Sequence, residues 1–286
     1  MEDLNAMGVM TRGIRLAKSS RLAKMGATAI AVATIAVAGC AAGSASATTA
    51  SAARPARTAA LAATVTRATA PAAYTPVAGT LSEGMTGSSV AALQRRLAAL
   101  KYYPGPIDGQ FGSDTIEAVW AFQEINGIRA TGVIDAATKR ALVHPKTYKS
   151  PSYAGKRATR VEVSQALEVL VLFKNNKIEL ISHVSSGGGY YYDCTSYGCA
   201  QAVTPNGTFY TTAYMPGWVQ VPLGEMYNPV FFISTTYAIH GDTLVPVYPA
   251  SHGCVRIPMD VATFFHTLVT TPGTEVHVYG KPQWEE

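Results

Sequence analysis

Cysteine is scarce in this 286-residue chain, with four in total, and charged side chains make up only 14%. Cys194 and Cys199 are the only closely spaced pair, and no second pair at finger-like spacing accompanies them, which argues against a zinc finger. No hydrophobic run reaches the roughly 20 residues needed to span a bilayer. No basic stripe interleaved with aromatics occurs, so nucleic acid is not an expected partner. The net charge of +5 does not change this. The first 47 residues hold five basic and two acidic side chains, and Arg54, Arg57 and Arg67 follow, which leaves residues 81–286 at −1. Gly187-Gly188-Gly189 lacks a following Lys-Ser or Lys-Thr and a surrounding strand–helix unit, so it reads as a flexible hairpin connection, not a phosphate loop.

What is present begins with a leader. Arg12, Arg15, Lys18, Arg21 and Lys24 precede the short apolar run from Ala27 to Ala38, the pattern of a secretory signal over residues 1–47. Val37-Ala38-Gly39-Cys40 resembles the lipobox of bacterial lipoproteins, which would make Cys40 a lipidated first residue and the only link to a membrane. Ala45-Ser46-Ala47 offers an ordinary cleavage site instead. The lipoprotein reading is preferred because a cysteine directly behind the apolar run has no other explanation. Residues 48–80 are Ala, Thr, Ser, Pro and Arg with few large apolar side chains, and read as a disordered tether.

Residues 81–143 carry helical spacing: Val90, Leu93, Leu97 and Leu100 share one face, and Ile116, Val119 and Phe122 another. Ser113-Asp114 and Asp135 occupy N-cap positions and Gly127 a helix end, around a turn-rich stretch from Tyr102 to Gly112. The reading is a small three-helix α bundle. The string Gly87, Val90, Leu93-Gln94, Leu97, Ile107-Asp108-Gly109, Phe111-Gly112, Thr115, Phe122-Gln123, Gly127, Thr131-Gly132 and Asp135 resembles the three-helix peptidoglycan-binding module of cell-wall enzymes. The resemblance implies wall targeting.

From residue 157 to 281 the pattern changes to short strands rich in Val, Ile, Tyr, Phe and Thr, at 160–164, 166–173, 177–184, 207–214, 230–234, 237–239 and 274–279. Only the stretch from Met259 to Val269 reads as helix. The fold class is therefore multidomain: a helical bundle followed by a mostly-β, sandwich- or barrel-like domain. The change of pattern near residue 150 reads as a boundary between independent units, so that removing 81–143 should weaken wall retention and spare turnover of small stem peptides.

The chemistry sits in Ser251-His252-Gly253-Cys254-Val255-Arg256 and the Ile239-His240-Gly241 before it. A cysteine acts as a nucleophile in its thiolate form, and a neighbouring imidazole is the usual means of lowering its pKa. With Cys40 lipidated or removed, three thiols remain. Pairing Cys194 with Cys199 leaves Cys254 free. His144, His183, His266 and His277 carry no motif and read as structural. His252 is only two residues from Cys254, whereas His240 comes from another segment able to face the sulfur. His240 is therefore the expected proton acceptor and donor, with His252 orienting or on the oxyanion side. The run Tyr190-Tyr191-Tyr192 is open to two readings, packing or sugar stacking.

Together with Val161 through Gly187 and Thr204-Pro205-Asn206-Gly207, these motifs resemble the YkuD-type catalytic domain of L,D-transpeptidases. The resemblance implies attack by Cys254 on the third residue of a tetrapeptide stem, loss of D-alanine, and resolution of the thioester by a neighbouring stem amine to give a 3→3 cross-link. It implies oxyanion donors at the backbone of His252, Gly253 and Cys254, and a carbonyl of Gly241 that holds His240. Arg256 and Ser251 are candidate substrate contacts, with Arg256 either anchoring a carboxylate or buttressing the loop. The segment 242–250 departs from the family pattern by carrying Pro246 and Pro249, as does the Cys194–Cys199 insertion. No metal or cofactor is implied. The expected partners are peptidoglycan stem peptides and glycan, the expected state a monomer, and the expected place the cell envelope. Two rival functions remain: an L,D-carboxypeptidase, and a wall-binding lipoprotein without activity.

Overall fold

The computed structural model describes residue 75 and residues 78–151, 157–196 and 198–285. The basic leader, Cys40 and most of the Ala/Thr/Pro segment lie outside the described residues.

Three helices come first: α1 (Ser88–Ala99), α2 (Ser113–Asn126) and α3 (Ala136–Val143). Helical spacing puts Val90, Leu93 and Leu97 of α1 and Ala118, Val119 and Phe122 of α2 on buried faces. Asp135 caps α3 by accepting the Thr138 N–H at 2.8 Å. Gly127 ends α2 in the left-handed conformation, with φ 68°. The cap position of α2 is Gly112, with no side-chain bond, and not Ser113-Asp114. Asp114 instead sits in the first turn, where its charge faces the positive helix end.

The rest is mostly strand: β1 (Arg160–Ser164), β2 (Val169–Lys174), β3 (Lys177–His183), β4 (Tyr191–Thr195), β5 (Gly198–Gln201), β6 (Gly207–Tyr210), β7 (Ala213–Tyr214), β8 (Trp218–Val221), β9 (Gly224–Ile233), β10 (Tyr237–Gly241), β11 (Val255–Ile257) and β12 (Glu275–Tyr279). One helix, α4 (Met259–Leu268), lies between β11 and β12. The first sheet has the order β3-β2-β1-β12-β6, in which β1 and β12 run parallel. The second has the order β11-β10-β9-β7 with β8 on β9, and β10 and β11 run parallel. A separate hairpin pairs β4 with β5.

Strand β2 explains how the parts join. Its residues Val169 to Phe173 are all buried, because both faces of the strand are covered. Leu170 and Leu172 belong to a core with Val230, Phe232 and Ile239 of the second sheet and Phe265 of α4. Val169, Val171 and Phe173, with Ile181 of β3, belong to a cluster with Leu93, Leu97, Val119 and Phe122 of the helices. The helices therefore do not close on themselves as a separate bundle. They share one core with the outer face of the first sheet, although the sequence pattern changes near residue 150. Tyr148 ties the connecting segment down by donating to Glu162 Oε2 at 2.9 Å.

Candidate active site

Strands β10 and β11 place His240 directly opposite Arg256 and Ile239 opposite Val255. Alternation along β11 buries Val255 and Ile257 in the core and turns Arg256 away from it. Cys254, the residue before β11, is a free and partly exposed thiol. It lines a cleft of about 330 Å³ together with His240, His252 and Arg256. Tyr192, Leu223, Met226, Thr236 and Tyr237 form much of the remaining wall. The volume is at the lower end of the ordinary range for ligand pockets.

The turn before Cys254 is held by backbone. Gly187 bridges Ser251, and the Gly188 N–H donates to the Ser251 carbonyl at 3.0 Å. Thr204 Oγ1 donates to the Gly253 carbonyl and accepts the Gly187 N–H, each at 2.8 Å. A Cβ on Gly187 would stand 2.6 Å from both the Ala202 carbonyl oxygen and the Thr204 nitrogen. The triple glycine is thus a packed strut behind the cysteine turn and not a flexible connection.

Ser251 and Gly253 are bonded to each other within the turn. The Ser251 hydroxyl donates to the Cys254 carbonyl at 2.5 Å and accepts the Gly253 N–H at 3.0 Å. Ser251 is thus a stitch within the turn, although it borders the cleft, and the Gly253 N–H is already engaged. Arg256 pairs through Nε with Asp242 Oδ2 at 3.1 Å and reaches the Leu244 carbonyl at 3.5 Å. Its guanidinium buttresses the 242–250 loop.

The sulfur has two backbone partners. The Ala238 N–H donates to Sγ at 3.4 Å, at a register shift between β9 and β10, and the thiol donates to the Thr236 carbonyl at 3.8 Å. Burial pushes the Cys254 thiol above its ordinary value, with the Ala238 N–H and Arg256 opposing it. His240 is 4% exposed, and its Nδ1 stands 2.9 Å from the Gly241 carbonyl. A carbonyl only accepts, so Nδ1 carries the hydrogen and Nε2 of the neutral ring is the acceptor. Burial pulls the His240 pKa below its ordinary value, against the pull of Gly241 and Asp242. The resting pair is therefore a neutral thiol and a neutral imidazole.

His252 packs edge-on against Tyr190 and Tyr192, with ring centroids 5.4 and 4.9 Å away. Burial and then the nearby Arg256 pull its pKa below the ordinary value. Tyr190 directly precedes the β4–β5 hairpin and Tyr192 lies in its first strand, and the Cys194–Cys199 disulfide closes that hairpin. Sequence reasoning missed Tyr237 and the backbone groups of Thr236 and Ala238. Backbone groups leave no signal in side-chain identity.

Comparison with known proteins places this geometry. Residues 158–278 match the L,D-transpeptidase catalytic domain, and residues 86–142 match a putative peptidoglycan binding domain. The crystal structure of the L,D-transpeptidase (residues 123-326) from Xylanimonas cellulosilytica is 32% identical, with a TM-score of 0.64, and the alignment covers 72% of this chain and 100% of that one. The chain belongs to the L,D-transpeptidase family. Curated relatives match over shorter stretches. A zinc D-Ala-D-Ala carboxypeptidase of Streptomyces albus G is 48% identical over 65 residues, 21% of this chain and 24% of that protein. A spore cortex-lytic enzyme of Bacillus subtilis is 39% identical over 69 residues, 24% of this chain and 23% of that protein. The chain spans about a quarter of the length of these curated relatives.

In this member of the family the cysteine turn depends on a residue without a side chain. Gly253 has φ 134°, and a Cβ there would lie 2.8 Å from both the Tyr237 ring and the Val203 carbonyl oxygen. Gly253→Ala is expected to cost about 1–3 kcal/mol of stability. The displaced sulfur should slow its reaction with iodoacetamide by about tenfold or more. Thermal melts and labelling rates check both.

Proposed function

We propose that this chain forms 3→3 cross-links in peptidoglycan through a thioester on Cys254. The observation that carries the reading is a free thiol sharing one cleft with a histidine whose Nδ1 is fixed by a carbonyl. In the proposed reaction His240 Nε2 takes the thiol proton as Sγ attacks the carbonyl of the third residue of a donor tetrapeptide. The amide bond to the terminal D-alanine breaks, and the imidazolium returns the proton to the leaving amine. The side-chain amine of an acceptor stem then attacks the thioester. Its proton passes through His240 to the departing sulfur, which restores the thiol.

The developing oxyanion is assigned to the N–H groups of His252 and Cys254, since Gly253 donates to Ser251 instead. The Ala238 N–H stabilises the sulfur as charge builds on it. The helical module supplies contact with the wall, and the leader with Cys40 would deliver and anchor the protein outside the membrane. Mass spectrometry of products from purified disaccharide tetrapeptide tests the reading. A dimer that has lost one D-alanine is expected. Tripeptide without dimer would assign the chain to hydrolysis instead, and unchanged substrate would end the catalytic reading.

A further inference from the structure

The loop 242–250 between His240 and Cys254 contains Pro246 and Pro249, so it cannot complete a strand ladder of its own. Its polar backbone groups are instead taken up by residues at and just beyond the end of β3. His183 Nε2 meets the Pro246 carbonyl at 3.0 Å. Ser185 Oγ donates to the Tyr248 carbonyl at 2.9 Å and accepts the Ala250 N–H at 3.0 Å. The Ser186 carbonyl accepts the N–H groups of Ala250 and Ser251 at 3.0 and 2.9 Å. Ser186 is in turn fixed by the fully buried Glu168, whose two oxygens accept its N–H and hydroxyl, each at 2.6 Å. The far end of this clasp is Ser251, whose hydroxyl is bonded to the Cys254 carbonyl.

His183 has a second partner, and it belongs to the other module. Its Nδ1 stands 3.3 Å from Glu124 Oε2 on α2, and the Trp120 ring of the same helix packs edge-on against it at 5.5 Å. The side chains are 0% and 9% exposed for His183 and Glu124. The Pro246 carbonyl only accepts, so Nε2 carries a hydrogen. The contact between Nδ1 and Glu124 then holds a single proton, as imidazolium with carboxylate or as imidazole with carboxyl. Removing Glu124 leaves that buried nitrogen unpaired, and an unpaired buried polar group finds another arrangement or destabilises the one it has. The ring is then free to turn, and the Pro246 carbonyl loses its donor.

We propose that Glu124, a residue of the helical module, is a positioning residue for the catalytic loop, acting through His183 on Pro246 and so on the relation of His240 to Cys254. The proposal rests on Cys254 chemistry, and it makes the wall-binding helix part of the active-site scaffold. Neither residue touches the reacting atoms. Their effect is on the fraction of molecules whose thiol and imidazole are aligned.

The test uses the full chain and D-alanine release from tetrapeptide stems. Glu124→Ala and His183→Ala should each lower kcat about tenfold or more with little change in KM. Glu124→Gln, whose amide donates to Nδ1, should restore kcat to within about twofold. The double variant Glu124→Ala/His183→Ala should be no worse than His183→Ala alone, as members of one relay are not additive. Val119→Ala, which thins the shared hydrophobic core without removing a polar partner of His183, controls for stability. It should lower Tm and leave kcat unchanged below the transition. A kcat for Glu124→Ala within twofold of wild type would overturn the proposal. So would losses that multiply in the double variant, or a parallel loss in Val119→Ala. If the wild-type protein releases no D-alanine, the transpeptidase reading falls instead.

Discussion

Cys254→Ser is expected to abolish release of D-alanine from tetrapeptide stems, by about 10⁴-fold or more, with an unchanged melting temperature. A hydroxyl is far harder to ionise than a thiol, and His240, held neutral and buried, is too weak a base to activate it. The same site should show a split between reactivity and turnover. Burial raises the Cys254 pKa, so iodoacetamide should label the free protein slowly at neutral pH and faster only as pH rises past the ordinary thiol range. Turnover needs a neutral His240. Its pKa is lowered, so activity should persist below the ordinary imidazole value of 6.5 and fall only as pH drops through the lowered one. Rapid labelling at pH 6 would mean a preformed thiolate–imidazolium pair and overturn this expectation.

Removal of residues 78–143 should yield a chain that does not stay folded. The deletion uncovers Val169, Val171, Phe173 and Ile181, now buried under α1 and α2. Fully burying one such side chain contributes about 1.5–3 kcal/mol, so the four together approach the roughly 5–15 kcal/mol that stabilises a whole domain. Aggregation or loss of a cooperative melt is the expected result. A soluble, monomeric 144–286 fragment with wild-type kcat would show that the shared core is dispensable.

Much of this was readable in the sequence where the signal is local. Val169 to Phe173 reads as a strand because five consecutive large apolar residues fit little else, although the segment begins three residues later than expected because residues 165–168 form a turn. Asp135 reads as a cap from its position alone. The short strands β4, β5, β8 and β11 carry little signal: β4 and β5 are mostly exposed, and the alternation of β8 and β11 runs over only four and three residues. His183 looked merely structural because its partners, Glu124 and Pro246, lie 59 and 63 residues away. A single sequence without its fold gives no means of pairing residues at that distance. Side-chain type does not disclose that the Ser251 hydroxyl and the Gly253 N–H satisfy each other.

The position of β12 sets an order of events during synthesis. This last strand lies between β1 and β6, paired with both, so the five-stranded sheet stays divided until residues 275–279 are available. Just beyond it, Trp284 donates to the Gly187 carbonyl at 2.7 Å, behind the turn that carries Cys254. A ribosome releases Cys254 some twenty residues before the strand that joins the first sheet, so the thiol is made while that sheet is still divided. Late closure of this kind keeps the first sheet open until residues 275–279 are available, so the two halves of the β domain are joined by a long-range pairing.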